Sequence, residues 1–122
     1  MARIDELNKA LQGLLSSSGD IEGSAIVSED GLIIASALQQ GIEEGRVAAM
    51  SSAMLSIGDR IGMELKRGKL EQIFVKGEFG FIVLMHAGSH AVLVALARKE
   101  AKLGLLFLDM QRTADEVKKI LG

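Results

Sequence analysis

The residues with the best claim to chemistry are His86 and His90, which flank Ala87-Gly88-Ser89. A hairpin at that turn would bring two imidazoles together, and paired histidines can begin a zinc site. Zinc needs three or four protein ligands, yet the chain has no cysteine and its spacing places no third ligand beside the pair. Two turn-flanking histidines without metal are therefore expected. Ser51, Ser52 and Ser56 share one helical segment, but none has a His or Lys three or four residues away to activate a hydroxyl, so helix packing is the expected role. Gly77-Glu78-Phe79-Gly80 lacks the Lys-Ser or Lys-Thr ending of a phosphate loop, and no dinucleotide fingerprint follows a strand pattern. No catalytic residue, cofactor or metal ligand is assigned, and the chain is expected not to be an enzyme.

Arg46 and Arg60 fall on the same long helical segment, away from its apolar seam. An exposed arginine can stabilise charge that develops in a partner's transition state, but such residues more often pair with carboxylates at helical spacing, here Glu43 and Glu64. Arg46, Asp59 and Arg60 are the candidate partner-contact residues, because Asp59 and Arg60 should edge the helix's apolar face.

The elements that must position these residues follow from periodicity. Ile4, Leu7, Leu11 and Leu14 recur at steps of three and four, giving an amphipathic helix over 4–15 that Ser16-Ser17-Ser18-Gly19-Asp20 stops. Strands are expected at 21–28 and 32–37, joined by Asp30-Gly31, since glycine accepts the positive φ of a tight hairpin turn. Residues 43–66 form the longest helix. Val47, Met50, Met54, Ile57 and Ile61 make one stripe along it, and Ala48, Ser51, Leu55, Gly58 and Gly62 a second, smaller-residue stripe. Two contact faces call for two neighbours: the chain's own sheet and a partner subunit, or else a helix sunk wholly in its own core. Periodicity alone leaves both open.

Three apolar runs follow, at 70–76, 79–86 and 90–97, which should form an antiparallel meander. The second and third are apolar at both parities and belong mid-sheet, whereas 70–76 carries polar residues and reads as an edge open to another chain. A last helix presents Leu103, Leu106, Met110, Ala114, Val117 and Leu121 to the core. The order is α-β-β-α-β-β-β-α, an α/β (α+β) chain read as one domain over 1–122.

Composition removes several roles. Hydrophobic residues are 48% of the 122, enough for a core, but no apolar run reaches the ~18 residues of a membrane span. A net charge of −2 with scattered Lys and Arg argues against nucleic acid, and four Phe without Trp or Tyr offer few stacking platforms. The start, Met1-Ala2-Arg3-Ile4-Asp5-Glu6, carries no export-signal pattern, and the lack of cysteine fits a reducing compartment, so a cytoplasmic location is expected.

Several local patterns together resemble the Roadblock/dynein light chain family over nearly the whole chain, from Leu7 to Leu121. They are Asp20-Ile21-Glu22-Gly23, Ser28-Glu29-Asp30-Gly31-Leu32-Ile33-Ile34-Ala35-Ser36, the Ala/Ser/Met-rich helix ending near Gly58-Asp59-Arg60, Gly77-Glu78-Phe79-Gly80-Phe81 and Leu103-Gly104-Leu105. The resemblance implies a five-stranded antiparallel sheet in order 2-1-5-4-3, with the long helix on one face and the terminal helices on the other. It also implies a dimer in which third strands and second helices meet across a two-fold axis. The dimer-interface candidates it gives are Val47, Met50, Ser51, Met54, Ile57, Gly58 and Ile61, with Ile73, Phe74 and Val75 on the strand.

The chain is most similar to the short bacterial and archaeal members that regulate Ras-like GTPases, the MglB type. The function so implied is a non-catalytic homodimeric binding module for a small Ras-like GTPase. Without the C-terminal extension of some such relatives, stimulation of GTP hydrolysis is not expected. The alternatives are a small-ligand sensor domain or a scaffold subunit of a larger assembly.

Overall fold

The computed structural model describes residues 2–122. Eight elements follow in the expected order: α1 (Ala2–Ser17), β1 (Ile21–Ser28), β2 (Ile33–Ala37), α2 (Glu44–Glu64), β3 (Ile73–Lys76), β4 (Gly80–His86), β5 (Ala91–Arg98) and α3 (Leu103–Leu121). All strand pairs are antiparallel, and the sheet order is β2-β1-β5-β4-β3. Gly31 turns β1 into β2 with φ 84°, and the Ser28 side chain accepts the Leu32 N–H at 3.1 Å, closing the Asp30-Gly31 hairpin.

Strand alternation sorts the core into two layers. On one face Phe81, Val83 and Met85 of β4 and Leu93 of β5 meet Leu7, Leu11 and Leu14 of α1 and Leu106, Met110 and Val117 of α3. On the other, Leu84, Val92, Val94, Ala25 and Val27 meet Ala48 and Leu55 of α2. Both mid-sheet strands are thus covered on two faces, as their two-sided apolar patterns require.

The third strand is shorter than 70–76. Its register runs from Ile73↔Leu84 to Lys76↔Phe81, and residues 70–72 do not pair. The cause lies at the end of α2, where the Arg67 and Gly68 N–H groups donate to the Gly62 carbonyl at 2.7 and 3.1 Å and fold the chain back. Leu70 then packs against the α2-side cluster, close beneath Gly58, and its side chain holds this stretch out of register.

Candidate functional site

The two stripes of α2 part company in space. Ala48, Ser51, Leu55 and Gly58 are its buried residues and face the sheet, where the small Ala48, Ser51 and Gly58 let the helix sit close. Met50, Met54, Ile57 and Ile61 point outward and are 64%, 41%, 55% and 53% exposed. The reading of α2 as a helix sunk in its own core is therefore wrong for this chain. Ser51 and Gly58 also need correcting as interface candidates: a Cβ on Gly58 would come within 2.4 Å of Ile73 Cδ1, so both lie inside the helix–sheet contact and present no surface.

Strand β3 forms one edge of the sheet beside this helix. Ile73 pairs with Leu84 and Val75 with Ile82, which puts Ile73, Val75 and Ile82 on the α2 face. Phe74 pairs with Val83 and so lies on the opposite face, against α3. The three strand candidates thus divide between two surfaces. On the α2 side, half-exposed Val75 and Ile82 share the sheet face that α2 covers and lie at or next to the open strand edge. Sequence reasoning missed Ile82 because its strand is apolar at both parities; the register with β3 is what reveals it.

The charged candidates are engaged locally. Arg46 pairs with Glu43 at 3.8 Å and Arg60 with Glu64 at 3.0 Å, the helical partners expected from spacing, and all four side chains are well exposed. Surface pairs of this kind contribute little to stability. Asp59 faces elsewhere: the Nε2–H of His86 donates to its carboxylate at 2.9 and 3.2 Å. His90 Nδ1 lies 3.2 Å from Glu29 Oε1, and the Ser52 hydroxyl donates to the Glu29 carbonyl at 2.6 Å. The histidines therefore tie the β4–β5 turn to α2 and to the β1–β2 turn, and do not pair with each other. Among the described residues no group of three or more His, Asp or Glu is placed to hold a metal ion. No helix among them is long and apolar enough to cross a membrane.

The Asp59–His86 tie is a weak one. Its side chains are 43% and 38% exposed, so water screens the interaction. A double-mutant cycle with Asp59→Ala and His86→Ala, read by thermal unfolding, should return a coupling below about 1 kcal/mol. A coupling of several kcal/mol would contradict this account.

Residues 7–97 match the model of the Roadblock/LC7 domain. Protein MJ0310 of Methanocaldococcus jannaschii is 38% identical over 104 residues, 85% of this chain and 90% of its own length. Among solved structures, a Roadblock/LC7 domain from Streptomyces avermitilis superposes with a TM-score of 0.87 at 23% identity, covering 93% of this chain and 96% of its own. MglB of Myxococcus xanthus superposes at 0.88 with 22% identity, covering 97% of this chain and 89% of its own. The two structural likenesses speak for the fold, and the family match for ancestry: the chain belongs to the Roadblock/LC7 family.

Proposed function

We propose that this chain is a non-catalytic regulatory module that pairs with a second copy through α2 and β3 and offers that dimer to a Ras-like small GTPase. The observation that carries the reading is the outward apolar stripe of α2, on the sheet face that also bears Val75 of the open β3 edge. Large apolar side chains exposed in a row mark an interaction surface, and an edge strand with free N–H and C=O groups marks a place for a second strand. A two-fold axis through β3 satisfies both at once, since a self-complementary patch closes on itself. Val47, Met50, Met54, Ile57, Ile61, Ile73 and Val75 form this interface, with Arg46, Arg60 and Asp59 nearby on the same helix. Family membership and the shared fold of MglB support a regulatory role; the GTPase rests on resemblance to the MglB type.

Light scattering on the purified protein tests it, first alone and then with a co-encoded Ras-like GTPase loaded with GDP or a GTP analogue. The expected result is a mass twice that of the 13.0 kDa chain that rises further in one nucleotide state. A GTPase that leaves the mass unchanged in both states would remove the GTPase part, and a monomer would remove the whole reading.

A further inference from the structure

Oxidants find few targets in this chain. It has no Cys, Trp or Tyr, so the thioethers of its six methionines are the side chains a peroxide attacks most readily. Met1 lies outside the described residues. Met85 and Met110 are buried in the layer beneath α1 and α3. Met50, Met54 and Met63 are 64%, 41% and 65% exposed, and all three stand on α2.

Their places on the helix differ. Met50 and Met54 are four residues apart and so share one side, in the outward stripe with Ile57 and Ile61. Met63 follows Met54 by about two and a half helical turns, which carries it to the opposite side, where it lines a cavity with Asp59 and His86. Two accessible thioethers thus lie in the surface proposed to pair, and one lies away from it.

A thioether takes one oxygen atom from a peroxide. A lone pair on Sδ forms the S–O bond, the O–O bond breaks, and with hydrogen peroxide the departing oxygen leaves as water. Sulfur is oxidised and the peroxide reduced, and a sulfoxide reductase restores the thioether. The product turns a flexible apolar side chain into a polar one with an acceptor oxygen. In the single chain that oxygen stays in water. In the α2 seam it would be buried among Val47, Ile57 and Ile61, which carry no side-chain donor, while Arg46, four residues before Met50, is already paired with Glu43 at 3.8 Å. An acceptor buried without a donor opposes burial. Protection also runs the other way, because two copies closed over Met50 and Met54 keep peroxide from their sulfurs. Pairing and oxidation therefore exclude each other by mass action.

We propose that Met50 and Met54 form an oxidative modification site, with a peroxide as co-substrate, that sets whether α2 is free to pair. This control rests on the α2–β3 pairing proposed above and adds its regulation.

Hydrogen peroxide treatment tests it, followed by peptide mass spectrometry and by light scattering over a concentration series. Oxidation of Met50 and Met54 should weaken association at least about tenfold. The doubled mass then gives way to 13.0 kDa at concentrations where the untreated protein stays paired, with circular dichroism unchanged. The double variant Met50→Leu with Met54→Leu keeps apolar side chains of similar volume and should hold its doubled mass under the same treatment. Met63→Leu should lose it as the wild-type chain does. During treatment, Met50 and Met54 should oxidise more slowly as concentration rises through the range in which the mass doubles, while Met63 oxidises at one rate throughout. That comparison needs no variant. Doubled mass that survives with both sulfoxides in place, a Leu double variant that dissociates like the wild type, or oxidation of Met50 and Met54 at rates indifferent to concentration would overturn the control and leave the pairing standing. A single-chain mass before any peroxide is added would overturn the pairing, and the control with it.

Discussion

Replacing Ile57 with Asp is expected to halve the particle mass, from twice the 13.0 kDa chain to 13.0 kDa, while circular dichroism and thermal unfolding stay nearly unchanged. Ile57 lies in the middle of the outward stripe, between Met54 and Ile61, and is exposed in the single chain. Within one chain an aspartate there stays in water, and such surface changes usually alter stability by no more than about 0.5 kcal/mol. Across a two-fold contact it would be buried against apolar side chains, near its own symmetry mate, while the neighbouring Arg60 is already paired with Glu64. Stranding a carboxylate in that way costs several kcal/mol, and about 4 kcal/mol weakens association roughly a thousandfold. Light scattering across a concentration series reads the result. A variant that keeps the doubled mass would show that α2 is not the seam. Ser51→Asp is no substitute for this test, because that side chain sits inside the helix–sheet contact and its replacement would damage the fold first.

Much of the architecture could be read from residue spacing, and the parts that could not share a physical cause. Steps of three and four place Val47, Met50, Met54, Ile57 and Ile61 together on α2, and Ala48, Ser51, Leu55 and Gly58 together beside them, but say nothing about which stripe meets the sheet. The small-residue stripe did so, because close approach of helix to sheet leaves little room for long side chains there. Sequence alternation likewise separates Phe74 from Ile73 and Val75, yet grouping the three as one interface overlooked that a strand has two faces. Register with β4 settles which face each takes. The partners of the histidines were out of reach for another reason. Asp59 lies 27 residues from His86 and Glu29 lies 61 from His90, and such contacts are made by topology and not by local pattern. Strand order came from family resemblance, since an antiparallel meander of three strands leaves several ways to place the first hairpin.

The same dependence on distant neighbours gives Gly62→Ala the opposite sign from what helix propensity predicts. A glycine inside a helix is worth about 1 kcal/mol less than alanine, so the substitution should stabilise wherever there is room. Gly13, in α1, has such room: no atom outside its own helical surroundings lies within 4 Å of a built Cβ. Gly13→Ala should therefore raise stability by up to about 1 kcal/mol. At Gly62 the Cβ would stand 2.7 Å from the Gly68 carbonyl oxygen, a backbone atom that no side-chain rotation can move aside. The segment holding that oxygen is fixed by the bonds from Arg67 and Gly68 back to Gly62, and by left-handed φ values of 58° at Lys66 and 93° at Gly68. Relieving the contact means shifting the chain that leads into Leu70 and β3. Overpacking of this kind costs about 1–3 kcal/mol, which outweighs the propensity gain and leaves Gly62→Ala destabilised overall. Chemical denaturation of both variants reads the difference in sign. If Gly62→Ala proves as stable as Gly13→Ala, the turn after α2 is looser than its hydrogen bonds imply, and the late start of β3 needs another explanation.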